Sequence, residues 1–179
     1  MKYVALLRGI NVGGRNIIKM AALKGCLEQH GFRSVATFIQ SGNVIFESDE
    51  RNAGRLTTQI EGALSQMFDY DSRVVLRSHA QLRAVVAEVP KDWKRRTDLR
   101  CNIAFLREPV TAREALAQVD VEPQVDSVQE GKGVLYLSTL VSGLKRSRFT
   151  KVIGKSIYRH MTIRNYNTCQ KLLALMERD

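Results

Sequence analysis

The stretch Tyr3-Val4-Ala5-Leu6-Leu7-Arg8-Gly9-Ile10-Asn11-Val12-Gly13-Gly14-Arg15-Asn16 decides the fold. Its first part is continuously apolar up to Arg8, which predicts a strand over 3–8 buried on both sheet faces. Three glycines follow, and then Met20, Leu23 and Leu27 share one helix face that ends near Gly31. Working outward, strands over 35–39 and 44–47 flank a tight turn at Ser41-Gly42-Asn43. Leu56, Ile60, Leu64 and Met67 mark a second helix, 73–76 a further strand, and Leu82, Val85 and Val86 a trailing helix. The order is βαββαβ plus a helix, the order of the ferredoxin-like module.

Residues beyond 100 repeat that order. A strand over 102–106 precedes a short helix around 113–118, and strands over 125–128 and 134–137 meet at Gly131-Lys132-Gly133. A helix over 146–158, a strand over 162–165 and a helix over 168–177 complete the set. The two halves share element order without sequence identity. The expected architecture is therefore α+β: duplicated ferredoxin-like βαββαβ modules, each followed by an extra helix. Residues 1–89 form the N-terminal half and residues 90–179 the C-terminal half. A first strand buried on both faces, and the absence of an aromatic RNP1 pattern over 44–47, disfavour RNA binding on an open sheet.

Charge narrows the partners. The chain has 179 residues and a net charge of +10, from 28 Lys and Arg against 18 Asp and Glu. Such an excess attracts anions, nucleic acid foremost, and also serves solubility. Cys26, Cys101 and Cys169 are far apart and form no CxxC pair, which excludes a disulfide framework and a zinc ribbon. Cys26 and Cys169 fall on or beside apolar helix faces, as small core residues do. The N-terminal apolar run is too short for a signal peptide, and no run reaches membrane-spanning length. A soluble protein of the reducing cytoplasm is expected. His30, His79 and His160 lack metal-ligand spacing, and no GxSxG, HExxH or close carboxylate pair occurs. No metal, cofactor or hydrolase of a familiar type is implied, and whether there is a reaction stays open.

Four segments carry candidate chemistry. The loop Arg8–Asn16 joins a strand to a helix, where backbone N–H groups often cradle phosphate. Its glycines match neither Walker A nor GxGxxG spacing. Arg8, Asn11, Gly13, Gly14, Arg15 and Asn16 are the candidate ligands there, the alternative being a turn that needs positive φ at Gly13 or Gly14. Ser41 and Asn43 lie in a turn of ordinary hairpin composition. From Gly131 to Met176 there is no Asp or Glu but nine Lys or Arg. Within it Arg148, Lys151, Lys155 and Arg159 recur at helical spacing, a candidate nucleic-acid track opposite Phe149, Ile153 and Ile157. Finally, Arg164, Asn165, Asn167, Thr168 and Lys171 surround a helix start, with Asn167 or Thr168 as N-cap and the helix end favouring anions. Trp93 reads as an aromatic packed in the hinge region, or as a stacking platform for a base.

Leu6–Asn16, Lys19-Met20, Gln40-Ser41-Gly42-Asn43-Val44 and Thr162-Ile163-Arg164-Asn165-Tyr166-Asn167-Thr168 together resemble a bacterial family, domain of unknown function 1697. The resemblance covers nearly the whole chain. It implies a duplicated ferredoxin-like fold and no established activity. Tyr166 stands where relatives often have Trp, and Arg15 where they have Lys; both swaps keep the aromatic or cationic character. The resulting expectation is a protein that binds a phosphate-bearing ligand, nucleic acid ahead of a nucleotide. An enzyme or sensor for a small phosphorylated metabolite is the rival reading.

Overall fold

The structure is a computed structural model that describes every residue except Arg15, Tyr70 and Asp179. It is a mixed α+β protein with two four-stranded antiparallel sheets. Strands β1 (Lys2–Leu7), β2 (Arg33–Phe38), β3 (Asn43–Glu47) and β4 (Val74–Ser78) form the first sheet in the order β2-β3-β1-β4. The second is built from β5 (Leu99–Leu106), β6 (Asp126–Gly131), β7 (Val134–Leu140) and β8 (Met161–Asn165) in the order β6-β7-β5-β8. Among the described residues five α-helices accompany them: α1 (Met20–Gln29), α2 (Ala53–Phe68), α3 (His79–Ala87), α4 (Ala112–Leu116) and α5 (Tyr166–Met176). Among the described residues no helix is long and apolar enough to cross a membrane. Chain contacts divide the protein into one compact unit of Met1–Leu82 with Lys171–Asp179 and another of Arg83–Gln170.

In the first unit the continuous apolar run does what its composition demands. Tyr3 to Leu7 are all buried, so β1 is covered on both faces as expected. Tyr3, Ala5 and Leu7 join one core with Leu23 and Leu27 of α1 and Leu56, Ile60 and Leu64 of α2. Those α2 residues recur every three to four positions and present one face to that core. Asn52 starts α2 by accepting a hydrogen bond from the Arg55 N–H at 3.0 Å. Asp69, in the left-handed region at φ 48°, ends it.

The second unit has a different filling. Helix α4 is short and opens on a reciprocal cap: Glu114 N–H donates to Thr111 Oγ1, and Thr111 N–H to Glu114 Oε2. The helix expected over 146–158 does not form. Two 3-10 segments, Phe149–Gly154 and Ser156–His160, stand there instead. The break is Lys155, extended at φ −95° and ψ 151°, directly after Gly154. Its side chain is drawn to the Gln118 carbonyl at 2.7 Å and to Asp120 at 2.9 Å. The packing changes accordingly: Val152 and Ile157 are buried, while Ile153, expected in the core, is 58% exposed. The three cysteines are all buried.

Candidate functional site

Two of the sequence-predicted segments meet in the first unit. The Asn11 side chain is the clasp. Its Nδ2 donates to the Ile18 carbonyl at 3.0 Å and to the Gln40 carbonyl at 2.8 Å, while its Oδ1 accepts from Ile18 N–H at 2.8 Å. Asn16 closes the same loop by donating to the Gly9 carbonyl at 2.9 Å, and its own carbonyl accepts from Asn11 N–H at 3.1 Å. The loop is thereby pinched at its base and fixed to the β2–β3 turn. Leu7 N–H reaches the Gly42 carbonyl at 2.8 Å, and a Cβ on Gly42 would lie only 2.6 Å from Ile10 Cδ1. The two segments form one fused structure.

Its backbone is unusual. Gly9, Asn11, Gly13, Gly14 and Asn16 all have positive φ, as does Ile39 at the neighbouring turn. Asn tolerates that region because its short polar side chain bonds locally, as Asn11 does; a β-branched residue such as Ile39 is strained there. Positive-φ residues are a component of the backbone turns that form anion-binding concavities, while the Asn11 N–H is itself committed to the Asn16 carbonyl. Gly13 and Gly14 are exposed at the tip, beside the exposed Val12 and Ile17. Arg8 is half-buried at the base, its N–H bonded to the Arg73 carbonyl at 2.9 Å, and Lys19 is exposed at the other end. Arg15, the other candidate cation, lies outside the described residues. Ser41 is half-buried and accepts from Asn43 Nδ2 at 3.0 Å. Asn43, fully buried and also bonded to the Phe38 carbonyl, shapes the turn and offers no surface to a ligand.

The Arg164 segment, in the second unit, differs from its sequence reading. Arg164 is a buried strand residue paired with Ile103, not a surface cation. Its guanidinium donates to Thr162 Oγ1 at 2.7 Å and to the Ile163 carbonyl at 3.0 Å, and burial pushes its pKa down to about 10. Beside it, burial pushes the Cys169 thiol up to about 12. Asn165, rather than Asn167 or Thr168, stands at the start of α5: its Oδ1 accepts from Asn167 N–H at 2.9 Å and its Nδ2 donates to the Cys101 carbonyl at 3.1 Å. Asn167 and Thr168 belong to the first turn of the helix, and Lys171 is exposed farther along it.

The basic track is likewise changed. Arg148 and Lys155 are paired, with Glu122 at 3.0 Å and Asp120 at 2.9 Å. The acid-free segment therefore finds its counter-charges in 120–126. Only Lys151 and Arg159 of the four remain without an ion pair among the described residues, and they sit on different 3-10 segments. Exposed pairs of this kind contribute about 0–1 kcal/mol each. Lys155→Ala is expected to shift urea-unfolding stability by no more than that. Two signals went unread in the sequence. Residues 1–27 contain five Lys or Arg and no acid, and Gln40, read as part of an ordinary turn, supplies the carbonyl that holds Asn11.

Comparison with known proteins places the chain. The family described as protein of unknown function, DUF1697, matches residues 1–136. The chain belongs to that family. Its matched portion includes both fused loops and ends within β7, before the 3-10 segments and the Arg164 turn. A solved structure described as that of the conserved bacterial protein SP0830 from Streptococcus pneumoniae is similar over 98% of each chain, with a TM-score of 0.85 and 26% identity. None of the curated proteins compared matches the chain.

Proposed function

We propose that this family member binds a phosphate-bearing ligand at the fused loops of its first unit, and that the ligand is compact, a small phosphorylated metabolite or nucleotide. The observation that carries the reading is the Asn11 clasp, 2.8 Å from the Gln40 carbonyl, which holds a Gly-rich loop with several positive-φ residues in a fixed shape before any ligand arrives. Preorganised N–H groups bind anions without the cost of ordering a loop. In this reading Gly9, Gly13 and Gly14 supply backbone donors, Ser41 a hydroxyl, and Arg8, Arg15 and Lys19 the charge. Asn11, Asn16 and Asn43 build the loop rather than touch the ligand. Extended nucleic acid is the weaker reading, because Arg148 and Lys155 are already paired.

The fold is part of the proposal. Both sheets share one strand order, and each unit threads its first strands as β-α-β-β. This supports two duplicated ferredoxin-like modules centred on residues 1–89 and 90–179, the 3-10 segments standing in for the second helix of the latter.

Heat unfolding with added ADP tests the site. A ligand at one hundred times its Kd stabilises by about 2.7 kcal/mol. The gain is expected in the wild type and in Lys151→Ala, and is expected to vanish in Arg8→Ala. Loss in Lys151→Ala alone, with steeply salt-dependent binding of single-stranded DNA, would favour the extended track instead.

A further inference from the structure

The second unit contains a cleft of about 270 Å³ between the segment after α3 and one face of its sheet. Strand alternation makes the floor. Ser127 pairs with Ser138 and Gln129 with Tyr136 across β6 and β7, so all four side chains stand on the same face. Leu99 and Leu140, also paired, extend that floor, and Trp93 forms the wall. Trp93 is fixed edge-on against Tyr136, with ring centroids 5.8 Å apart, and against Tyr166 at 5.4 Å. Tyr136 is itself tied down by its hydroxyl, which donates to the Val85 carbonyl at 2.9 Å.

Polar groups of the sheet face open into the cleft. Ser138 lines the cleft, and its hydroxyl is open to it rather than sealed in the core. Ser127 and Gln129 are exposed along its edge. The charged neighbours are committed elsewhere. Arg96 makes a two-pronged bond to Asp98, at 2.9 and 2.6 Å, and Asp126 is held by backbone and Thr139 donors on the opposite sheet face. Asp92 adds a negative charge to the rim. A phosphate group would have to draw Arg96 away from Asp98 and would face Asp92 at the rim. A neutral, flat molecule with donors and acceptors around its edge would find an aromatic wall, an apolar floor, two hydroxyls and an amide.

We infer that this cleft is a binding site for a neutral heterocycle of the nucleobase class, presented as a free nucleoside. The Gln129 amide and the Ser138 hydroxyl read its edge, and Trp93 and Leu140 enclose its faces. The site is independent of the phosphate site proposed above.

Trp93 is the chain's single tryptophan, so its fluorescence reports on the cleft alone. Titration with adenosine, guanosine, cytidine and uridine is expected to change that emission saturably for at least one of them, and inorganic phosphate is expected to leave it unchanged. Ser138→Ala removes one hydroxyl and is expected to weaken binding about tenfold. Gln129→Ala, at an exposed position that tolerates substitution, is expected to weaken it to a similar degree and serves if the serine variant fails to fold. No saturable change with any of the four nucleosides at millimolar concentration would overturn the assignment. So would an unchanged affinity in the variants.

Discussion

Replacing Gly42 by alanine is expected to destabilise the protein by about 2–5 kcal/mol, from two separable causes. Gly42 lies in the left-handed region at φ 73°, where an L residue costs about 1–2 kcal/mol. The added methyl would also sit 2.6 Å from Ile10 Cδ1 and 2.8 Å from Leu7 Cβ. Leu7 belongs to β1 and Ile10 is 1% exposed, so neither has room to retreat, and overpacking of this kind costs about 1–3 kcal/mol. Gly9→Ala is the control. Its φ of 72° is nearly the same, but a Cβ there meets nothing within 4 Å. Urea unfolding of the two variants should therefore place Gly42→Ala lower by the packing cost. Equal stabilities would mean that the hairpin turn does not press on the Gly-rich loop.

The second large effect is at Asp126. This carboxylate is 7% exposed and receives Glu122 N–H at 3.0 Å, Arg148 N–H at 2.9 Å and Thr139 Oγ1 at 2.9 Å. It thus joins the segment before β6, strand β7 and the entry to the 3-10 segments. Hydrogen bonds to a charged group contribute about 1.5–3 kcal/mol, and truncation leaves two backbone donors without it. Asp126→Ala is expected to destabilise by about 3–5 kcal/mol at pH 7. Burial raises the pKa of Asp126, but the donors from Arg148, Ser147, Glu122 and Thr139 outweigh it and hold the pKa below the usual carboxylate range. A depressed pKa in the folded state means stability that is present above the unfolded value of about 3.9 and lost as pH falls through the folded value. Urea unfolding of wild type and Asp126→Ala should accordingly converge as pH drops below about 4. A gap that stays constant with pH would show that the carboxylate's charge contributes nothing.

These two positions show what sequence reading reaches and what it misses. The apolar run Tyr3–Leu7 has one outcome in water, burial on both faces, and the helices around Leu23 and Leu56 follow from spacing alone. The fusion of the Gly-rich loop to the hairpin turn was not legible, because its hydrogen bonds go to the carbonyls of Gln40 and Gly42, and carbonyls are the same in every residue. The basic segment misled for a different reason. Its charges recur at helical spacing, but the partners of Arg148 and Lys155, Glu122 and Asp120, lie some 26–35 residues earlier, and the backbone at Lys155 is extended rather than helical. Arg164 resembled a surface cation because it precedes a helix. Its register against Ile103, in a strand apolar at Ile103, Ala104, Phe105 and Leu106, was the signal that it is buried.

The central claim is that the Asn11 clasp builds an anion-binding loop. Amide proton–nitrogen correlation spectra during titration with inorganic pyrophosphate test it residue by residue. The account predicts saturable shifts concentrated at Gly9, Gly13, Gly14 and Ser41, lost in Asn11→Ala. Shifts confined to 145–159, or none at all, would contradict it.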